Sequence, residues 1–277
     1  MNERPLVSVV IPTFNSAGTI ERCLESIKKQ TYRNIEIIVV DNFSTDNTRE
    51  IAQQFADKVL TCGPERSAQV NHGVRASKGK YIYRVDADFV LSPTVIAEAV
   101  QKCELEGFDA VVIHNTSDPT VSFWAKVRKL ERDCYKKDLH NVAARFMKKK
   151  VFQEIGGFDE SLIACEDYDL HKRLVHAGFR IGIIDAEEIH IGEPKTLGEI
   201  CRKHYYYGKT VREYVKKYGR QAIAELSPIR QSFLRNWRKF LTHPVLAVGF
   251  LLYQGTRYAA AMVGYCRSTI DEWIGRP

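Results

Sequence analysis

Lys80-Tyr-Ile-Tyr-Arg-Val-Asp-Ala-Asp-Phe-Val90 is the stretch of this sequence that decides the fold. Its alternation, with Tyr81 and Tyr83 on one side, predicts a strand that has one face in a core. The strand runs into Asp86 and Asp88, so we expect both carboxylates at the carboxyl end of a sheet, where ligands of open α/β sheets collect. Such a pair, together with substrate phosphates, is a usual arrangement for Mg2+ or Mn2+. The alternative is a solvated turn, in which Asp is common.

Strand and helix patterns alternate before this stretch. Short apolar runs at 7–12, 35–40 and 58–62 are typical of buried parallel strands, and helical patterns cover 20–27 and 67–76. A further helix to about Phe55 is expected to be capped by Ser44 or Thr45, with Asp46 in its first turn. The β-α-β order predicts an α/β fold with a doubly wound, Rossmann-like parallel sheet.

The second half of the chain mixes both patterns. Ser92-Pro93 favours a helix start, and helices are predicted to about Glu106, over 122–139 and over 167–176. Strands are predicted at 109–114, 142–146, 180–184 and 188–190. Thr196 to Glu199 is a capping box that opens another helix, whose apolar face is expected to run from Leu197 to Tyr218.

Composition limits the class of protein. The chain has 277 residues, 44% of them apolar and 27% charged, which is ordinary for a globular protein. Its seven cysteines are far apart and form no Cys-x-x-Cys pair, so we expect free thiols and neither disulfides nor a zinc site. The N-terminus shows no signal-peptide pattern, which favours a cytoplasmic location. Because no Gly-x-Gly-x-x-Gly motif follows the first predicted strand, a Rossmann dehydrogenase is not expected.

Positive charge is concentrated in the C-terminal part. From Lys195 onward, fifteen Lys and Arg residues stand against five Asp and Glu. We therefore divide the chain into a domain at 1–195 and a basic helical extension at 196–277. The apolar run 245–253 is shorter than the ~20 residues that span a bilayer. An interfacial helix at an anionic membrane surface is expected, and packing on the first domain or in a homo-oligomer is the alternative; no nucleic-acid-binding module is visible.

Other polar residues are expected near Asp86 and Asp88. Asp41 ends the second predicted strand, and Arg66 and Asn71 follow the third, where they could meet phosphates. Glu166 and Asp167 open a helix, whose dipole stabilises an ionised carboxylate. Taken alone, these residues could equally be a turn former, a solvated arginine and a charged first turn.

Together these residues resemble a known family, the inverting GT-A glycosyltransferases of family 2, and particularly the members that act on lipid-linked acceptors at a membrane. The resemblance lies in five blocks that keep the family's order and spacing over roughly 7–218. These blocks are 9–15 (Val-Val-Ile-Pro-Thr-Phe-Asn), 38–46, 65–73, 79–88 with its D-x-D, and 155–162 with 165–173. It implies a GT-A fold, a mostly parallel sheet flanked by helices, with a membrane-associating helical extension.

The family's donor site can be carried over by position. The resemblance implies that a UDP- or GDP-sugar binds to a set of residues contributed by the first loop, the strand ends and the third helix. These are Pro12, Thr13, Asn15 and Asp41 for the base and ribose, Arg66 and Asn71 for the phosphates, and Asp86 for the ribose side of the D-x-D. Asp88, with Asp86 and His190, would hold Mg2+ or Mn2+.

The resemblance also implies the chemistry. Asp167 would be the general base that activates an acceptor hydroxyl, with Glu166 beside it, and the acceptor would be a lipid-linked or other glycan. Specificity is expected in 114–139 and 145–150. Asn42 and Phe43 stand where many members have Asp-Gly, so the loop beside the base is expected to differ. The alternatives are a polyprenyl-phosphate glycosyl synthase, a nucleotidyltransferase and a non-catalytic nucleotide-sugar binder.

Overall fold

The computed structural model of the protein describes residues 4–139 and 142–274. The chain forms two compact units. The first comprises Met1–Asn115, Lys137–Glu160 and Asp167–Gly192, and the second comprises Thr116–Lys136, Ser161–Glu166 and Glu193–Pro277. The sequence-based division into 1–195 and 196–277 stays a prediction about domains.

The first unit is built on an eight-stranded sheet. Its strands are β1 (Val7–Thr13), β2 (Ile35–Asp41), β3 (Lys58–Thr61), β4 (Tyr81–Arg84), β5 (Phe89–Leu91), β6 (Ala110–Ser117), β7 (Ala144–Lys148) and β8 (Ile181–His190), in the order β3-β2-β1-β4-β7-β6-β8-β5. The pairs β3–β2, β2–β1 and β1–β4 are parallel, as the β-α-β pattern predicts. The carboxyl ends of these strands therefore meet at one edge.

The other half of the sheet is antiparallel. Strand β7 pairs antiparallel with β4 and with β6, and β5 pairs antiparallel with β8. β5 begins directly after Asp88 and was not predicted, because its three residues are too short for a periodic signal. The two strands predicted at 180–184 and 188–190 form the single strand β8. The strand predicted at 142–146 is β7, Ala144–Lys148, and it overlaps the segment 145–150 in which specificity is expected.

Apolar side chains fill both faces of the sheet. Val9 and Val10 are neighbours in β1, yet they belong to two different buried clusters. This follows from the period of a strand, in which successive side chains point to opposite faces. Tyr81 and Tyr83 are buried in the first cluster, as predicted. The strand before the D-x-D is therefore anchored by its core face.

The helices of both units follow in chain order. They are α1 (Ile20–Lys28), α2 (Thr48–Gln53), α3 (Arg66–Ala76), α4 (Val95–Leu105), α5 (Phe123–Arg132), α6 (Lys149–Glu154), α7 (Glu166–His176), α8 (Leu197–Thr210), α9 (Arg212–Tyr218), α10 (Arg220–Glu225), α11 (Gln231–Arg235), α12 (Trp237–Thr242) and α13 (Pro244–Trp273). Pro244 opens α13 at the start of the helix, where the missing N–H of proline has no helical partner to lose.

Two predicted helix starts were wrong. α2 begins at Thr48 after Asn47, so neither Ser44 nor Thr45 caps it, and Asp46 precedes the helix. Ser44 instead donates hydrogen bonds to Asp41.

The start predicted at Ser92-Pro93 was also misplaced, because α4 begins at Val95 after Thr94. The Pro93 carbonyl accepts from the Thr31 N–H, and the Ser92 N–H donates to the Glu187 carbonyl. These backbone hydrogen bonds connect Pro93 to the segment after α1 and Ser92 to β8.

The second unit is helical. The Thr196 hydroxyl caps α8 by accepting from the Glu199 N–H, which confirms the capping prediction. The predicted continuous apolar face is wrong in part, because Leu197 and Cys201 are exposed while Ile200 and Gly208 are buried. The helix predicted over 122–139 ends at Arg132.

Glycines let α8 and α13 approach closely. A Cβ atom on Gly208 would lie 2.0 Å from the Ala261 carbonyl oxygen, and one on Gly264 would lie 2.2 Å from the Tyr205 carbonyl oxygen. Only glycine fits at such a crossing. Among the helices of 4–139 and 142–274, none combines the length and the apolar character needed to cross a membrane.

Candidate active site

Three parallel strands bring the predicted site residues of the first unit to one edge. Thr13 and Asp41 are register partners at the ends of β1 and β2, and β4 ends at Arg84 just before Asp86. β1 lies between β2 and β4 in the sheet. Asp41 and the D-x-D therefore lie at the carboxyl ends of the two strands on either side of β1, at the same edge of the sheet, as predicted.

A hydrogen-bond chain links the first loop to Asp41. The Asn15 N–H donates to the Ser44 hydroxyl at 2.8 Å, and that hydroxyl donates to Asp41 Oδ1 at 2.5 Å. Asn15 also accepts from the Thr45 N–H, with a positive φ of 46° that Asn tolerates. Asp41 is fully buried. Ser44 was missed as a site residue because its pattern resembles a helix cap.

Gln69 fixes the ends of the two neighbouring strands and was also missed. Its amide nitrogen donates to the Thr13 carbonyl at 2.9 Å and to the Val40 carbonyl at 2.6 Å. Pro12 and Thr13 are buried within this arrangement. Gln69 of α3 thus fixes the backbone at the start of the first loop.

Three guanidinium groups surround Asp86. The Arg84 Nη2 lies 3.0 Å from Asp86 Oδ1, the Arg66 Nη1 lies 3.7 Å from it, and Arg145 donates to Oδ2. Burial alone would raise the pKa of Asp86, but Arg145, Arg84 and Arg66 more than offset it and hold the pKa well below its usual 3.8. Asp86 is therefore an anion whose oxygens are already engaged by arginines.

The same network continues into the sheet. Arg145 donates to Glu188 Oε2 at 2.8 Å, and the Tyr83 hydroxyl donates to Glu188 Oε1 at 2.5 Å. Glu188 is fully buried, and burial raises its pKa above 4.5. Arg145 and Glu188 were missed because they reach Asp86 only through strand pairing, which leaves no local sequence signal.

Asp88 has a more open environment than Asp86. Its side chain is 35% exposed, and its Oδ2 lies 2.9 Å from His190 Nε2. The His190 ring packs on Phe89 at a centroid distance of 4.9 Å. A Cβ atom on Gly192 would lie 2.5 Å from Asp88 Oδ2, so the glycine leaves room for this carboxylate.

Asp88 and His190 fit a divalent ion that is completed by a bound phosphate. A partly exposed carboxylate next to an imidazole supplies ligands that Mn2+ accepts, and Mg2+ sites commonly use few protein ligands. No group of three metal-ligating side chains occurs in the part of the chain that the structure describes. Further ligands would therefore come from substrate phosphates and water. Asp86, predicted as a third ligand, is instead engaged by guanidinium groups.

Asn71 contacts a loop of its own unit. Its amide nitrogen donates to the Phe158 carbonyl at 2.9 Å and to Glu160 at 2.8 Å, and its oxygen accepts from the Phe158 N–H. Both amide hydrogens are therefore used, which gives Asn71 a structural role. Its predicted contact with phosphates stays a prediction.

The predicted base lies in the first turn of α7. Leu170 and Leu174 are buried in the second core cluster, as their spacing predicts. Asp167 is half-buried, and its Oδ1 accepts from the Tyr168 N–H at 2.8 Å. Glu166 is buried and belongs to the second unit, whereas Asp167 belongs to the first. Their catalytic roles stay predictions.

A comparison with protein families finds a match that covers most of the strands of the sheet. The model of a family described as Glycosyl transferase family 2 matches residues 8–158, more than half of the chain.

Curated relatives extend this match. An uncharacterized glycosyltransferase of Rickettsia typhi is 25% identical over 98% of this chain and 90% of its own length. One of Rickettsia prowazekii is 33% identical, but the match spans only 60% of this chain and 57% of that relative. The succinoglycan biosynthesis protein ExoA of Rhizobium meliloti is 26% identical over 80% of this chain and 74% of ExoA.

Solved structures share the fold. The mannosyltransferase PcManGT from Pyrobaculum calidifontis, in complex with GDP-Man and Mn2+, superposes with a TM-score of 0.58 at 18% identity, covering 94% of this chain and 74% of that one. S. aureus TarS 1-349 in complex with UDP-GlcNAc gives 0.56 at 14% identity, covering 98% and 92%. These similarities show a GT-A fold.

Proposed function

Because this chain belongs to glycosyl transferase family 2, we propose that it moves a sugar from a nucleotide-diphosphate donor to an acceptor hydroxyl with inversion. The observation that carries the proposal is the edge of the first unit, where Asp41 ends β2, Arg66 opens α3 and lies 3.7 Å from Asp86, and the D-x-D follows β4. The donor would be a UDP- or GDP-sugar, and the acceptor a polyprenyl- or dolichyl-linked glycan. Structures with this fold hold GDP-Man or UDP-GlcNAc, which supports a nucleotide-sugar donor.

The residues at this edge would divide the donor between them. The buried carboxylate of Asp41 and the loop at Asn15 would take the base and ribose, and Arg66 would meet the diphosphate. Asp88 and His190 would hold Mg2+ or Mn2+. When bound, that ion supplies Lewis-acid stabilisation of the leaving diphosphate.

Asp167 would take the proton of the acceptor hydroxyl. As the acceptor oxygen forms its bond to the anomeric carbon, the bond to the donor diphosphate breaks, and the diphosphate leaves as an anion with the bonding electrons. The leaving group needs no protein acid, so one carboxylate suffices. Attack on the face opposite the leaving group inverts the anomeric centre.

Replacement of Asp167 tests the base. Asp167→Asn removes the proton acceptor with little change in shape, so transfer should fall by at least about 100-fold, while donor affinity changes less than about threefold. The measurement is release of nucleotide diphosphate together with donor binding by calorimetry. Asp185→Asn, at an exposed carboxylate of the same unit, is the control. Turnover of Asp167→Asn within a few-fold of wild type would make the base assignment wrong.

Metal dependence is tested at Asp88. Asp88→Asn should weaken Mn2+ binding by 10-fold or more and reduce transfer, because the most exposed carboxylate at the edge is lost. Calorimetric titration of Mn2+ into the protein with nucleotide diphosphate measures the first effect. Unchanged Mn2+ affinity would show that the ion, if used, is held elsewhere.

A substrate panel separates the remaining candidate reactions. Nucleotide sugars are incubated with Mg2+ or Mn2+, with and without a membrane lipid extract, and the products are identified. Transfer to an extracted glycan supports the proposal, and transfer directly to a polyprenyl phosphate identifies a synthase. Pyrophosphate formed from a sugar phosphate and a nucleoside triphosphate would identify a nucleotidyltransferase. Binding of nucleotide sugars without turnover would identify a binding protein.

We also propose that the second unit rests on an anionic membrane surface, which would place the protein at the cytoplasmic face of the cell membrane. A row of exposed apolar side chains runs along α12 and the start of α13. Its members are Trp237, Leu241, Val245, Val248 and Leu252, each more than half exposed. Arg235 and Arg238 are exposed beside them. Cations next to aromatic and aliphatic side chains are what interfacial helices use.

Vesicle binding tests this surface. The double variant Leu241→Asp with Val248→Asp should lose most cosedimentation with phosphatidylglycerol vesicles at low salt, because two charges enter the apolar row. Leu105→Asp changes an equally exposed leucine of the first unit and should bind like wild type. Equal binding by all three proteins would refute the surface. Concentration-dependent self-association lost only in the double variant would assign the row to a homo-oligomer instead.

A further inference from the structure

The second unit contains a cluster of arginines around two buried glutamates. Glu131 lies on α5 and is 2% exposed at its side chain; Arg257 Nη1 lies 3.2 Å from its Oε1, and Arg128 donates to its Oε2. Two guanidinium groups from two helices thus converge on one carboxylate. The cluster shares no residue with the proposed donor site.

A second carboxylate completes the cluster. Glu193 Oε1 lies 3.0 Å from Arg132 Nη2 and accepts from the Ser117 hydroxyl at 2.6 Å. Its Oε2 lies 3.9 Å from Arg128 Nε. Arg128 therefore lies between the two glutamates. We call Arg128, Arg132, Arg257, Glu131 and Glu193 the arginine cluster.

Cations outnumber anions around this cluster. Its own members comprise three arginines and two glutamates, and the charges of Arg230 and Lys203 also act on Glu131 and His204. Burial, reinforced by Arg257, Arg128 and Lys203, lowers the pKa of His204 to about 3. Burial likewise lowers the pKa of Arg132, against the attraction of Glu193. Both shifts are due chiefly to burial. Three arginines against two glutamates leave a positive charge in the cluster, which favours a further anion.

The arginine side chains of the cluster are more exposed than its glutamates. The side chains of Arg128 and Arg257 are 17% exposed and that of Arg132 is 12% exposed, whereas both glutamates are only 2% exposed. The arginines therefore reach solvent to a greater extent than the glutamates do. Each guanidinium carries five N–H donors in a planar fork, which matches phosphate oxygens.

We propose that the arginine cluster binds a phosphate or diphosphate group. The group belongs either to a lipid headgroup or to a soluble phosphate, and both share the chemistry that the guanidinium groups recognise. The glutamates hold the arginines in place and limit their net charge, so they compete with the ligand for the same N–H donors. That the bound group is the phosphate of the acceptor rests on the proposed function; the binding itself does not.

Two opposite substitutions test the site in the full chain without any divalent ion. Inorganic pyrophosphate is titrated calorimetrically in EDTA into wild type, Arg257→Gln and Glu193→Gln. Arg257→Gln should weaken binding at least 10-fold, because one guanidinium is lost. Glu193→Gln should tighten binding at least threefold, because a competing carboxylate becomes neutral. A purely structural cluster would give no tightening.

Two controls locate the binding. Arg220→Gln removes an exposed arginine of the same unit and should leave binding unchanged. Arg66→Gln removes the arginine that would meet the donor diphosphate, so any pyrophosphate bound there is lost while the binding that depends on Arg257 should remain. If binding is lost in Arg66→Gln and kept in Arg257→Gln, pyrophosphate binds at the donor site and the proposal is wrong. If these variants contradict pyrophosphate binding at the cluster while glycosyl transfer is intact, the proposed function is not affected.

A thermal measurement covers variants that fold poorly. Pyrophosphate should raise the melting temperature of Glu193→Gln more than that of wild type, because the ligand replaces the lost charge. An equal or smaller rise overturns the proposal.

Binding to vesicles of phosphatidylcholine with and without phosphatidic acid shows whether the phosphate group comes from a lipid or from a soluble compound. Binding that depends on phosphatidic acid and is weakened by Arg257→Gln indicates a lipid headgroup, and binding of pyrophosphate alone indicates a soluble phosphate.

Discussion

The two units each bury a set of arginines with two carboxylates, but they do so by different means. In the first unit, the arginines around Asp86 and Glu188 come from α3, β4 and β7. In the second, Arg128, Glu131 and Arg132 follow one another along α5 at helical spacing. One network is assembled by strand pairing and the other mostly by one helix. The first is therefore invisible to local sequence patterns.

The two networks also differ in exposure and in how the arginines are shared. Arg145 is 8% exposed, and it is paired with Asp86, which follows β4, and with Glu188 in β8. Arg257 is 17% exposed, and its partner Glu131 also has Arg128. Arg145 is paired with both carboxylates of its network, so its removal weakens two buried ion pairs, whereas Glu131 keeps Arg128 when Arg257 is removed. This difference indicates that the first network depends more strongly on a single arginine than the second.

Matched arginine variants should give the largest effect. Arg145→Gln should reduce the free energy of unfolding by about 3–5 kcal/mol, because Glu188 and Asp86 lose a buried partner. Arg257→Gln should cost about 1–2 kcal/mol, since Glu131 keeps Arg128 and the site is partly solvated. Urea unfolding of the full chain measures both. Equal costs would show that the two networks are energetically alike.

The second largest effect is expected from acid, which should destabilise the second unit at a higher pH than the first. The folded pKa of His204 is about 3, below its usual 6.5, so the unfolded chain binds the proton first. Stability is therefore complete above pH 6.5 and falls by up to about 1.4 kcal/mol per pH unit on acidification. Glu131, with a pKa of about 2 against 4.5, adds a loss of about 3 kcal/mol between pH 4.5 and 2.

The first unit has a different acid limit. The pKa of Asp86 is lowered from 3.8, so its contribution is present above pH 3.8 and is lost only as the pH falls further.

Urea unfolding at pH 7.5, 6 and 5 tests the role of His204 in the second unit. The free energy of unfolding of the wild type should fall with decreasing pH, and this dependence should be weaker in His204→Gln. A slope that persists unchanged in this variant would contradict the burial of His204 as its cause.

The sequence predicts the sheet edge because its signal is local. Alternation in 80–90 and the apolar runs at β1 and β2 place Asp41 and the D-x-D correctly, since each depends on one strand and its end. Glu188, by contrast, stands beside Glu187 and suggests a solvent face, yet it is fully buried. Its burial depends on Arg145 and Tyr83, which only strand pairing brings near.

Turn chemistry explains the other differences. Ser44 has the residue type and position of a helix cap, but its hydroxyl bonds to the carboxylate of Asp41 three residues earlier. Ser and Asp satisfy backbone or side-chain groups equally well in turns, so composition does not choose between the two. The choice is made by Asn15, which comes from another loop.

Two glycine substitutions in α13 should change the stability by an intermediate amount. Gly264→Ala places a methyl group on the Tyr205 carbonyl, so it should cost about 1–3 kcal/mol by separating α8 from α13. Gly255 lies on the same helix with open space around it, and Gly255→Ala should stabilise by about 0.5–1 kcal/mol. Thermal unfolding measures both. A neutral Gly264→Ala would mean that the crossing of α8 and α13 has room for a side chain.

The smallest effect is expected in the loop of the first unit. Ser44→Ala removes the hydroxyl that joins the Asn15 N–H to Asp41, while the Ser44 N–H still donates to that carboxylate. Stability should fall by about 1 kcal/mol, the usual net value of one hydrogen bond, and donor affinity by a few-fold because Asn15 is less well positioned. Thr45→Ala is the control, since Asn15 uses chiefly the Thr45 backbone N–H. Equal donor affinities for the two variants would show that the loop is held without Ser44, and the position of Asn15 would then depend on the Thr45 backbone alone.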